Sequence, residues 1–127
     1  MGQPKPNRTV LLVDDEANIR KVVTWRLERE GFRVVATPSG DTGLSLAKSE
    51  RPDVILLDIM MPLLNGREVL KRLREDPDTS TIPVILLTVV ERDSDLESLL
   101  GSGQVFHVAK PYKAEELLRT IRLALGE

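Results

Sequence analysis

Four short, mostly apolar runs in this 127-residue chain each end on a polar side chain, and that repetition narrows the folds open to it. Val10 to Val13 runs into Asp14-Asp15, Val54 to Leu57 into Asp58, Val84 to Leu87 into Thr88, and Val105 to Ala109 into Lys110-Pro111. Runs of four or five β-branched and leucine residues, without polar alternation, read as strands covered on both faces, as in a parallel sheet. In an open parallel sheet the strand C-termini share one edge, and ligands bind there. The chain is therefore expected to bring three carboxylates, an ammonium and a hydroxyl to a single rim. Such a donor set suits a divalent cation and a phosphoryl group.

Between these runs the apolar spacing turns helical. Ile19, Val22, Val23 and Leu27 recur at steps of three and four, which predicts a helix over about residues 16–30 with Gly31 ending it. Trp25 falls off the main stripe and is expected to pack on the flank of that helix. Ser39 or Asp41 opens a second helix carrying Leu44 and Ala47 before Pro52. A third, over about 66–75, places Val69, Leu70 and Leu73 together and stops at Asp76-Pro77. A short fourth is expected near 94–100, closed by Gly101 and Gly103, and a last one over about 113–125 with Leu117, Leu118, Ile121 and Leu125. With a further strand-like run at 33–36 this makes five βα units, hence a three-layer α/β sandwich with right-handed crossovers. No repeat or linker divides it. Residues 1–7 read as a flexible polar lead and 8–127 as one domain.

Composition removes several function classes. Cys is absent and His107 is the single histidine, which argues against disulfides, thiolate chemistry, a histidine-rich metal site and a Ser-His-Asp triad. The net charge of -2 with no basic block, and an aromatic content of 3%, give no surface for direct nucleic-acid binding. No run approaches the roughly 20 apolar residues that span a bilayer. The chain opens Met-Gly, but Pro6 stands where a myristoylation signal needs Ser or Thr. A soluble cytoplasmic protein is expected.

Asp14, Asp15 and Asp58 converging on one edge would repel one another, and a hard cation relieves that repulsion. Mg2+ prefers octahedral oxygen ligands and keeps several waters. The expected protein ligands are Asp15, Asp58 and the backbone carbonyl of Met60, with Asp14 acting through a water. Helix capping alone would account for Asp14-Asp15-Glu16, since acids gain from the dipole of a first turn. It does not account for Asp58 closing a second strand. After Asp58, Pro62 fixes a backbone angle and Gly66 permits a close approach to the next helix. A carboxylate held beside a cation can act as a nucleophile and form an acyl phosphate. Lys110 would pair with that carboxylate at rest and with phosphoryl oxygens afterwards, and Thr88 offers a hydroxyl to the same oxygens.

With these pieces in place, the chain resembles the receiver domain of two-component response regulators, over about residues 8–125. The resemblance is carried by LLVDDE at 11–16, VILLDIMMPLLNG at 54–66, VILLT at 84–88 and AKPY at 109–112. It implies a flavodoxin-like, doubly wound parallel sheet in strand order 2-1-3-4-5. It implies that Asp58 is the phosphoacceptor, taking a phosphoryl group from the phosphohistidine of a histidine kinase or phosphotransfer protein. Asp14 and Asp15 would be the acidic pair for Mg2+, Lys110 the family's lysine and Thr88 its switch hydroxyl. In the family, phosphorylation draws the threonine inward and turns a side chain on the fifth strand. The face made by the fourth helix, fifth strand and fifth helix then meets an output partner or a second copy.

Several residues depart from the family pattern. His107 stands where Tyr or Phe is usual; it would serve as the rotating gate and brings the side-chain type that titrates nearest neutral pH. Val89 replaces a small residue beside Thr88 and would narrow access to the site. Met60 cannot orient a hydrolytic water by hydrogen bonding, so a long-lived acyl phosphate is expected. Gly101-Ser102-Gly103 softens the end of the fourth helix. Acids from Glu91 to Glu97 facing Lys113, Arg119 and Arg122 would suit a symmetric, salt-sensitive contact. An aspartate-nucleophile phosphohydrolase would want a second Asp where Met60 stands, and a flavin phosphate would be repelled by the acids at 14–16.

Overall fold

The computed structural model of the protein describes residues 8–88, 98 and 104–127. Five parallel strands, β1 (Thr9–Val13), β2 (Arg33–Thr37), β3 (Val54–Asp58), β4 (Val84–Thr88) and β5 (Val105–Ala109), form one sheet in the order β2-β1-β3-β4-β5. Helices α1 (Ala17–Arg29), α2 (Gly40–Glu50) and α3 (Gly66–Glu75) and a C-terminal helix (Ala114–Ala124) connect and cover it. The α/β sandwich and the strand order expected from the sequence are both present. The polar lead 1–7, the fourth helix expected at 94–100, Val89, the acids 91–97 and Gly101 to Gly103 lie outside the described residues.

Strand alternation sorts the sheet into two faces. Leu11, Val13, Ile55, Leu57, Val84 and Leu86 pack with Ala47, Val69, Leu70 and Leu73 of α2 and α3. Val10, Leu12, Val54, Leu56, Ile85, Leu87 and Val108 pack with Val23, Leu27, Leu117, Leu118 and Ile121 of α1 and the C-terminal helix. Burying each large aliphatic side chain contributes about 1.5–3 kcal/mol, whereas a half-buried surface ion pair such as Arg26–Glu30 contributes about 0–1 kcal/mol. The two apolar layers, not the surface charges, therefore hold the sheet edge in place. Phe106 joins the second layer while Val105 joins the first, so His107 projects on the opposite side from Phe106, as strand alternation requires.

The helix signals act where expected, with one correction. Gly31 takes a positive φ of 96° just past α1, Ser39 caps α2 by accepting from the Thr42 N–H, and Asn65 caps α3 by accepting from the Glu68 N–H. Asp76 turns extended before Pro77 and ends α3. On α1, however, Val22 is 64% exposed and Trp25 is 58% exposed, so neither packs into the core. The buried line of α1 runs through Val23 and Leu27, with Ile19 packed against it. Successive residues are about 100° apart on a helix, so Val22 falls at the edge of that stripe and Trp25 beyond it. The Arg29 guanidinium lies 4.7 Å from the Trp25 ring centroid and covers it instead. No helix among the described residues is long and apolar enough to cross a membrane.

Gly66 is where the fold meets the site most closely. A Cβ there would collide with the Asp58 carbonyl oxygen and the Ile59 Cα, both backbone atoms that cannot move aside. The Gly66 N–H also donates to the Ile59 carbonyl at 3.0 Å, which draws the start of α3 against the end of β3. Gly66→Ala is accordingly expected to cost about 1–3 kcal/mol by overpacking. Urea unfolding measures this, and an unchanged midpoint would show that the close approach is dispensable.

Candidate functional site

The register of the sheet builds the site. Val13 pairs with Leu57, so Asp14 and Asp58 leave their adjacent strands at the same level. Asp58 pairs with Leu87 and Thr88 with Ala109, which places Thr88 and Lys110 along the same rim. The ladder continues past the strand ends: the Asp14 N–H donates to Thr37 O at 3.1 Å, Ile59 N–H to Leu87 O at 3.1 Å, and Lys110 N–H to Thr88 O at 2.7 Å. The Lys110-Pro111 peptide bond is cis.

At this rim Asp14 is 0% exposed, Asp58 2% and Thr88 1%. The Lys110 Nζ lies 3.1 Å from Asp14 Oδ2, 3.5 Å from Asp58 Oδ2 and 3.5 Å from Glu16 Oε1. Asp14 Oδ1 accepts from the Glu16 N–H at 2.9 Å, an Asx-type turn that folds the loop back over the strand. Asp58 Oδ1 accepts from the Met60 N–H at 3.1 Å. Carboxylate oxygens of Asp14, Glu16 and Asp58 all lie within 4.8 Å of one another.

The electrostatics follow from this crowding. Burial, and then the charge of Asp14, push the Asp58 carboxyl up to about 6, although Lys110 and the Met60 N–H pull the other way. Burial pulls Lys110 down, but its hydrogen bond to Asp14 and the charges of Asp14, Asp58 and Glu16 outweigh that and hold it above the ordinary lysine value. Burial, with Asp14 next, raises the Tyr112 phenol to about 12, and its hydroxyl is buried without a hydrogen-bond partner among the described residues. Glu16, Ile19, Val22, Lys110, Pro111 and Tyr112 line a largely apolar cleft of about 500 Å³ that opens beside the rim.

Of the residues expected from the sequence, the structure brings Asp14, Asp58, Thr88 and Lys110 to one place. Asp15 is exposed and stands outside the carboxylate group, while Glu16, considered only as a helix-capping acid, belongs to it. Met60 is exposed beside Asp58, whereas Met61 is buried in the core. Arg119 and Arg122 line a groove with Arg26 and Glu30, and Arg122 pairs with Glu30 at 3.2 Å. Arg122 thus has a partner on α1, while the acids 91–97 expected opposite these arginines in a symmetric contact lie outside the described residues. Arg20 and Tyr112 were not anticipated. A helix arginine reads as a solvated charge, and a single tyrosine gives no sign of where its hydroxyl points.

The oxygen-only donor set fits a hard divalent cation: three carboxylates face one ammonium, and the charge of Asp14 adds to burial in raising Asp58. A carboxylate cluster able to coordinate such a cation is present.

The chain, with this acidic rim on a 2-1-3-4-5 parallel sheet, matches the response regulator receiver domain over residues 10–122. It belongs to that family. It is 38% identical over 117 residues to the protein PilH of Pseudomonas aeruginosa, covering 92% of this chain and 97% of PilH. It is 42% identical to the probable transcriptional regulator ycf27 of Guillardia theta over 91% of this chain but only 44% of that protein. The chain thus spans about half the length of the transcriptional regulators it matches. The solved receiver domain of sensor histidine kinase PA1611 from Pseudomonas aeruginosa, with a magnesium ion coordinated in its active site cleft, has a TM-score of 0.85 at 30% identity, covering 95% of this chain and 99% of that one.

The raised Asp58 pKa makes a statement about stability. Folding moves the group from 3.8 to about 6, so the folded state holds the proton more tightly than the unfolded state. The stabilisation is fully present below about pH 4 and is lost as pH rises through about 6, leaving a cost of roughly 1–3 kcal/mol in the metal-free protein above pH 7. Asp58→Asn removes that cost, so its stability relative to wild type should rise between about pH 4.5 and about pH 7.5. Urea unfolding without divalent cations at the two pH values checks this; a gap that stays constant would mean the burial of Asp58 is not felt.

Proposed function

We propose that Asp58 accepts a phosphoryl group from the phosphohistidine of a histidine kinase or phosphotransfer protein, and that the chain thereby switches a protein-binding surface. The observation that supports this best is the Lys110 ammonium lying 3.1 Å from Asp14 and 3.5 Å from Asp58 at the sheet edge. One oxygen of the Asp58 carboxylate attacks phosphorus, the phosphorus–nitrogen bond to the donor imidazole breaks, and the imidazole departs as a neutral base once protonated. Lys110, already beside Asp58, moves its charge onto the phosphoryl oxygens as they arrive. Thr88 on the neighbouring strand end supplies a hydroxyl donor to the same group, and His107 on β5 is the gate that follows it. An added phosphoryl group brings charge and strong acceptors, and the resulting contacts shift a two-state surface.

Bound magnesium would neutralise charge on the transferred group and on the carboxylates. Asp58, Asp15 and the Met60 carbonyl are the proposed ligands, with Asp14 acting through a water and Glu16 close enough to contribute. The output surface is the expected fourth-helix, β5 and C-terminal-helix face, used for a partner or a second copy.

Incubation with magnesium and a small acyl-phosphate donor should add one phosphoryl mass to wild type and none to Asp58→Asn, as read by intact mass spectrometry. Labelling of the variant to the same extent would refute Asp58 as acceptor. Because the exposed, apolar Met60 beside Asp58 offers nothing to orient a water, the acyl phosphate should be long-lived, and Met60→Asn should shorten its life by several-fold. Decay followed after donor removal measures this, and slower decay in the variant would contradict it.

A further inference from the structure

Arg20 sits one turn into α1 yet reaches back to the rim. Its Nη1 donates to the Asp14 carbonyl oxygen at 2.9 Å, and its backbone N–H donates to the Glu16 carbonyl oxygen at 3.1 Å. The two bonds bracket Asp15. The strand side of this loop is held separately, by the Asp14 N–H on Thr37 O, and the Asp14 carboxylate is held by the Glu16 N–H and Lys110. Every polar group of Asp14 is thus engaged, and the guanidinium accounts for the carbonyl. No carboxylate among the described residues forms an ion pair with Arg20.

A planar peptide has one freedom at this point, rotation of its plane about the chain. Fixing the Asp14 carbonyl fixes the Asp14-Asp15 peptide plane, and with it the direction in which Asp15 and Glu16 leave β1. The cationic head itself works against a metal site, since like charges repel. A positive group beside a cation-binding rim is therefore useful through its geometry and costly through its charge.

We infer that Arg20 is a positioning residue for divalent-cation binding, setting the magnesium affinity of the acidic loop by holding the Asp14 carbonyl. The inference rests on the magnesium-assisted reading given above. Its two physical effects have opposite signs, and this makes it testable. If Arg20 acted through charge alone, neutralising it would tighten magnesium binding. If it acts through position, neutralising it loosens the loop and weakens binding despite the removed repulsion.

The experiment is calorimetric titration of magnesium chloride into wild type, Arg20→Gln and Arg20→Lys, with the metal-free melting temperature of each recorded alongside. Arg20→Gln should bind magnesium roughly tenfold more weakly, the scale usual for groups that orient metal ligands. Its phosphorylation by a small acyl-phosphate donor should need more magnesium but reach the wild-type rate at saturation. Equal or tighter binding in Arg20→Gln overturns the inference, as does a rate that saturating magnesium fails to restore. Should Arg20→Gln not fold, Arg20→Lys decides: it keeps the charge and loses the planar fork, so weaker binding supports positioning and unchanged binding refutes it. Wild type that binds no magnesium at all would instead sink the magnesium-assisted reading itself.

Discussion

The ammonium of Lys110 is what allows two carboxylates to lie buried side by side at the end of the sheet. Isolated buried charges are very costly, and a like-charged pair is worse. Lys110 reaches Asp14, Asp58 and Glu16 together, from the loop that follows β5, and so ties three segments of the chain by one charge. The compensation is incomplete, because one cation faces three acids. Burial, and after it the charge of Asp14, hold the Asp58 carboxyl near 6, and the remaining imbalance leaves the rim receptive to further positive charge. The resting site is therefore stable enough to keep its shape and unbalanced enough to change it when charge arrives.

The apolar layers exist, in functional terms, to hold that arrangement at a fixed level. Parallel pairing sets Val13 against Leu57 and Thr88 against Ala109, and each apolar strand interior locks its register because a slip by one residue would turn the buried side chains outward. The approach of α3 to the end of β3, possible only because Gly66 lacks a Cβ, then limits where the segment after Asp58 can run. Within that segment Leu63 adopts a positive φ of 63° with its side chain wholly in solvent, a conformation that costs a leucine about 1–2 kcal/mol.

Much of this was legible in the sequence because strands buried on both faces announce themselves as unbroken apolar runs. Their last residues must then share an edge, and so Asp14, Asp58, Thr88 and Lys110 could be assembled by register alone. Legibility failed where position depends on a turn or on the width of a face. Asp15 and Glu16 follow the strand, and which of them returns to the rim is decided by the Asp14 side chain accepting from the Glu16 N–H, a local bond that residue types do not dictate. Val22 fits the helical spacing of α1 but lies at the edge of a stripe narrower than its spacing suggests, and Trp25 is covered by Arg29 rather than by the core. Arg20 reads as one more helix charge until its reach to the Asp14 carbonyl is seen.

The two buried aspartates are furnished unequally. Among the described residues Asp14 has its two carboxylate oxygens held at 2.9 and 3.1 Å, while Asp58 accepts from the Met60 N–H at 3.1 Å and has Lys110 at the longer 3.5 Å. Hydrogen bonds drain electron density from an oxygen anion and make it a poorer attacking group. The rim therefore sorts two chemically identical side chains into separate trades: one is spent as scaffolding, and the other is left with an oxygen lone pair still to give.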